Sequence, residues 1–124
     1  MAGPKSTASG LDPNAAAALS YLFGALTGLL FFLTEPKNKY VRFHALQSIF
    51  LNIAVIMIYI GTGLFLALVA ALPGLGLLFR FLGAVVYFLL FIATIVLSII
   101  MMIQAYQGEK LKLPVIGDLA DQNT

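Results

Sequence analysis

The chain has 124 residues, 61% of them hydrophobic and only 10% charged, and its mean hydropathy is +1.02. Soluble domains carry about 25% charged residues, so this composition excludes an ordinary water-soluble domain, and the length leaves no room for a second one. A net charge of +2 is too small to mark a nucleic-acid binder, and the absence of cysteine excludes disulfides, a thiolate nucleophile and a cysteine metal site.

Residues 1–14, MAGPKSTASGLDPN, are small and polar and broken by Pro4, Gly10 and Pro13, the composition of a flexible arm. Asp12 or Asn14 suits the cap of the helix that follows, with Pro13 in its opening turn. Three apolar runs then succeed one another: 15–34 with twenty residues, 45–72 with twenty-eight and 81–103 with twenty-three, none containing a charge. At about 1.5 Å of rise per residue, each helix would cross a hydrocarbon core about 30 Å thick. Membrane strands would need segments of roughly ten residues alternating in polarity, and these runs are longer and apolar throughout. The first run also exceeds the apolar core of a signal peptide, and Leu33-Thr34-Glu35-Pro36 offers no small-x-small cleavage site, so it is expected to be retained.

The sequence thus predicts an all-α integral membrane protein with three transmembrane helices at about 15–34, 42–72 and 77–105. The membrane domain is 15–107, between the arm 1–14 and a C-terminal tail, 108–124. Residues 35–39, Glu-Pro-Lys-Asn-Lys, end the first helix and form a tight connection. Leu72-Pro73-Gly74-Leu75-Gly76 is a second turn, and Arg80 can snorkel its guanidinium towards headgroups. Gly108 suits the end of the third helix, and residues 110–116 are expected to run extended along the membrane surface or a partner. Three spans place Lys37, Lys39, Arg42, Lys110 and Lys112 on one side and Lys5 and Arg80 on the other. The positive-inside bias then predicts an external N-terminus and a cytoplasmic C-terminus in a bacterial inner membrane.

Each predicted helix carries a stripe of small or polar residues. On the second, His44, Ser48, Asn52, Tyr59 and Thr62 share one face, extended by Gln47. On the third, Gly83, Tyr87, Thr94, Ser98 and Ala105 do so, with Arg80 close by. On the first, Ser20, Gly24, Thr27 and Gly28 form a small-residue ridge. Such stripes suit helix packing, because small residues let backbones approach and hydroxyls bond across the seam. None contains a mid-membrane charge of the kind that marks a transport route.

His44 is the only histidine. It suits an interfacial residue bonded to Gln47, Ser48 or the loop; the other reading is axial ligation of a haem or chlorophyll-type pigment. The nearest carboxylate in sequence is Glu35, so no metal site is predicted. No nucleophile–base–acid set can be assembled, and no phosphate-binding glycine loop follows a strand. The chain is not expected to be an enzyme.

Two blocks carry a resemblance. Lys39-Tyr40-Val41-Arg42-Phe43-His44-Ala45-Leu46-Gln47-Ser48 is similar to the opening of the second span in a family of small bacterial membrane proteins. Gln104-Ala105-Tyr106-Gln107-Gly108-Glu109, followed by Leu113-Pro114-Val115-Ile116-Gly117-Asp118, resembles that family's tail. The family is related to the chloroplast inner-envelope import component called Tic-twenty, and the resemblance implies a role in protein translocation. It also leads to the expectation that the two blocks meet, Arg42 with Glu109 or Asp118, and His44 or Gln47 with Tyr106. The function expected is a non-catalytic accessory subunit that packs against other membrane helices and lipids, as part of a larger complex or a homo-oligomer. A Tic-twenty-like translocation component and a pigment- or haem-binding subunit using His44 are the alternatives.

Overall fold

The structure is a computed structural model and describes residues 7–124; Lys5 and the rest of 1–6, part of the arm and of the charge count above, lie outside the described residues. Five helices follow in order: α1 Pro13–Leu19, α2 Ala25–Thr34, α3 Lys39–Ala70, α4 Gly76–Tyr106 and α5 Ile116–Gln122. They form two compact units. The first holds the chain up to Ile53 together with Leu97–Thr124, and the second is Ala54–Val96.

Two helices, α3 and α4, are long and apolar enough to cross a membrane. The first apolar run does not form the single helix expected of it. It is divided into α1, seven residues, and α2, ten residues, about 10 and 15 Å long and each shorter than a hydrocarbon core. The division has local causes. Asp12 caps α1, its carboxylate accepting from the Asn14 amide, and Pro13 opens the helix. The Ser20 hydroxyl then bonds back to the Ala16 carbonyl at 3.0 Å, and residues 20–24 leave the helix. Gly24 adopts φ 61°, ψ −129°, a conformation closed to residues with a Cβ. Thr27 secures the reversal: its hydroxyl donates to the Ser20 carbonyl at 3.1 Å and accepts the Phe23 amide at 3.2 Å.

The outcome is a helical hairpin whose ends return to the same place. Glu35, which caps the end of α2 and is 1% exposed, accepts the amides of Ala8 at 2.7 Å and Ser9 at 3.1 Å. The described part of the arm is therefore tied down. Within the first unit α1 lies against the end of α4, where Ala17, Ala18 and Tyr21 pack with Tyr40, Met101 and Ala105. Ala16 and Phe31 pack with Val41 and Ala45 of α3. Gly28 sits so close to α3 that a Cβ there would lie 3.0 Å from the Ala45 carbonyl oxygen.

Helix α4 ends in a Schellman turn. Gly108 has φ 83°, its amide bonds to the Ala105 carbonyl, and the Glu109 amide reaches the Gln104 carbonyl at 2.9 Å. The tail beyond is extended only over residues 109–113 and then forms α5, where an extended run had been expected. Ala120 of α5 packs on Phe43 and Leu46. In the second unit most large side chains are exposed, among them Leu64, Phe65, Leu68, Phe81 and Phe88. That surface belongs in lipid or against other helices.

Candidate functional site

The densest polar cluster lies in the first unit, around His44. The ring is fully buried and met edge-on by Tyr21, Tyr40 and Phe43 at centroid distances of 5.6, 4.8 and 5.0 Å. Its Nε2 is 3.1 Å from the Glu109 carbonyl oxygen and its Nδ1 is 2.7 Å from the Tyr21 hydroxyl. A carbonyl only accepts, so Nε2 carries the hydrogen and Nδ1 accepts from Tyr21. The Tyr21 oxygen in turn accepts from Gln47 Nε2 at 2.9 Å. The other hydrogen of that amide goes to the Leu111 carbonyl at 3.0 Å, and Gln47 Oε1 accepts the Leu113 amide at 2.9 Å. Tyr40 completes the set by donating to the Ala105 carbonyl at 2.6 Å, with the Glu109 carbonyl at 3.2 Å.

Four parts of the chain are joined by this network: the hairpin apex, the start of α3, the end of α4 and the tail. Gln47 gives the extended tail the paired donor and acceptor contacts that a neighbouring strand would give. Gly117 closes the corner. A Cβ there would stand 2.5 Å from Lys112 Cβ and 2.9 Å from Gln47 Oε1, so only glycine lets α5 approach.

Outside the network, Lys110 and Lys112, two apart in the extended segment, hold Asp121 at 2.8 and 2.9 Å. Hydrogen bonds from Lys110 and then Lys112 pull the Asp121 carboxyl down to about 2, and the bond to Asp121 pushes the Lys112 ammonium up. Lys112 also stands 4.0 Å from Asp118. The three groups are solvent-accessible, so the tie orients α5 more than it stabilises it. Lys110 lies over the Phe43 ring at 4.6 Å.

The two sequence blocks do come together, through partners other than those expected. Arg42 stacks on the Phe32 ring at 4.0 Å and donates to the Phe32 carbonyl at 3.1 Å, leaving Glu109 and Asp118 to other neighbours. His44 and Gln47 grip backbone carbonyls and an amide, whereas the Tyr106 side chain is exposed. Of the Glu109 groups, the carbonyl is used. Ser48 donates to the Gly24 carbonyl at 3.1 Å, and the Asn52 carboxamide, bonded to the Ser48 carbonyl, lies against Gly24. Gly83 is buried against Leu66; Thr94 bonds back to Leu90 in its own helix; Ser98 is half-buried.

Sequence reasoning missed Tyr21, Tyr40 and Glu35. Tyr21 is the single phenol in the run 15–34, and a phenol in apolar surroundings needs a partner; that was the available signal. A haem or pigment would need a free imidazole nitrogen, and both nitrogens of His44 are spent on the chain itself. Among the described residues no three His, Asp or Glu groups converge as a metal site would require.

The model of the magnetosome magnetite crystal formation protein family matches residues 9–120. The chain belongs to this family. Among similar proteins, a UPF0132 membrane protein of Methanocaldococcus jannaschii is 41% identical over 94% of this chain and 92% of its own length. A second from that organism is 37% identical over 93% of this chain and 72% of its own. One from Archaeoglobus fulgidus is 35% identical over 90% and 95%. No solved structure matches. Family membership corrects the Tic-twenty-like resemblance: the two blocks belong to the magnetosome magnetite crystal formation family, which overturns the kinship with the import component and leaves the translocation role it implied without support. These relatives are archaeal, so they give the expected bacterial source no support. They do place the chain among membrane proteins, in agreement with α3 and α4.

Proposed function

We propose that this protein is a non-catalytic subunit of a membrane assembly, with α3 and α4 as its two spans and the α1–α2 hairpin entering and leaving the membrane on one side. The observation that carries this reading is the His44 network, in which every buried donor and acceptor named above is spent on joining parts of the same chain. A catalytic or ligand-binding centre keeps polar groups aimed at an open space. Here they close a corner.

The hairpin supports the two-span reading, because Ala8 and Ser9 meet Glu35 at its exit. A helix that spans puts its ends on opposite sides, so Lys37, Lys39, Arg42, Lys110 and Lys112 flank one side and Arg80 the other. The positive-inside bias then favours a cytoplasmic clasp, with the arm on that side as well. The exposed rows of the second unit supply the surface for lipids, neighbouring subunits or a second copy. The family's description names magnetite crystal formation; this reading takes from the family only its place in a membrane.

Gentle extraction of tagged protein from its native membrane, with identification of whatever chains accompany it, tests the subunit reading. Other membrane chains, or further copies of this one, are expected in stable proportion. A monodisperse monomer with no companion under several mild detergents overturns it.

A further inference from the structure

The second unit holds an open apolar groove of about 370 Å³, lined by Leu66, Ala67 and Ala70 of α3 and by Phe79, Arg80, Gly83, Ala84 and Tyr87 of α4. Small side chains make it. A Cβ on Gly83 would press on Leu66 Cδ1 at 3.0 Å, and alanines replace bulk at 67, 70 and 84. At one end the walls are joined by polar contact. Tyr87 donates to the Tyr59 carbonyl at 3.0 Å and the two rings stack at 5.6 Å. Towards the Pro73–Gly74 turn stands Arg80, the only Asp, Glu, Lys or Arg between Arg42 and Glu109. No hydrogen bond, ion pair or ring contact to Arg80 is found among the described residues, so its guanidinium is free to bind an anion.

We propose that this groove holds one anionic lipid, its hydrocarbon chain lying along Ala67, Ala70, Gly83 and Ala84 and its phosphate on Arg80. An apolar channel open to the bilayer excludes water-soluble ligands. The unpaired guanidinium selects an anion, and its planar fork matches phosphate oxygens. Anionic headgroups attract a cation near the membrane surface by about 1 kcal/mol, or about fivefold, and a fitted chain adds selectivity over simple snorkelling. The proposal is independent of whether the protein has partner subunits.

Native mass spectrometry of the full chain, released from bilayers of equal parts phosphatidylglycerol and phosphatidylcholine, tests it. One phosphatidylglycerol is expected to remain per chain in preference to phosphatidylcholine. Arg80→Gln should lower that retention at least about fivefold, and Ala84→Leu, which fills the groove while leaving Arg80 in place, should lower it comparably. Lys37→Gln should leave it unchanged. Unfolding temperatures equal to the parent's keep the variants interpretable; if Ala84→Leu unfolds, Ala67→Leu takes its place. Equal retention of the two lipids, full retention in the filled variant, or equal loss in Lys37→Gln overturns the proposal.

Discussion

Gln47 shows how much one side chain can carry when its partners are backbone atoms. It binds the Tyr21 hydroxyl, the Leu111 carbonyl and the Leu113 amide together. Gln47→Leu would keep the volume, take their partner from the Leu111 carbonyl and the Leu113 amide and leave Tyr21 only its bond to His44, and a buried group without its partner costs about 1–3 kcal/mol. We expect residues 109–115 to be cut readily by protease in this variant, with α3 and α4 still helical by circular dichroism. Tyr21→Phe should be milder, since only His44 Nδ1 and one Gln47 hydrogen lose a partner. A tail as resistant in Gln47→Leu as in the parent would show that apolar packing alone holds it. Gly24 is the counterpart in the hairpin. Its φ of 61° and the Asn52 carboxamide leave no place for a Cβ, so the reversal depends on that residue.

At the level of elements, α5 is seven residues long, too short to persist alone. Ala120 on Phe43 and Leu46, and Asp121 between two lysines, keep it in place. The sign of its pH dependence follows from the two shifts. The Asp121 carboxyl titrates below its usual range, so its tie is complete above about pH 4 and is lost as pH falls towards 2. Lys112 titrates above its ordinary value of 10.5, so its share is present below that value and is lost as pH rises beyond it. A spin label on Gln122→Cys should therefore keep one line shape from about pH 4 to about pH 10 and become mobile only towards the acid and alkaline extremes. Mobility setting in near pH 6 would instead show that these ion pairs are not what holds α5. Of the extended run expected over 110–116, only 110–113 lies outside turn and helix; Val115 at φ 65° then redirects the chain into α5, a conformation that no sequence rule assigns to a valine.

For the molecule as a whole, length and hydropathy were enough to place α3 and α4, and a Pro-Gly turn marked their junction. The run 15–34 has the length and the freedom from charge of a span, and its division rests on Ser20, Gly24 and Thr27, residues that suit helix packing equally well. Charge pairing misdirected the search for contacts between the two blocks, because Arg42, His44 and Gln47 all turn to backbone carbonyls that composition does not reveal. The resulting topology is open to a direct test, since the chain has no cysteine. Single cysteines at Ser9, Lys37 and Gly74, probed in sealed vesicles with a membrane-impermeant thiol reagent, should label with the first two on one side and the third on the other. Labelling of Ser9→Cys from the opposite side to Lys37→Cys would restore the three-span arrangement. The clasp around His44 also has a consequence for biosynthesis. The hairpin leaves the ribosome before the rest of the clasp, but its Tyr21 cannot be fully paired until Gln47 arrives, and Gln47 cannot be satisfied until Leu111 and Leu113 follow. A later segment thus locks an earlier one, and a ribosome stalled before residue 111 would hold a hairpin and two spans not yet closed by the tail.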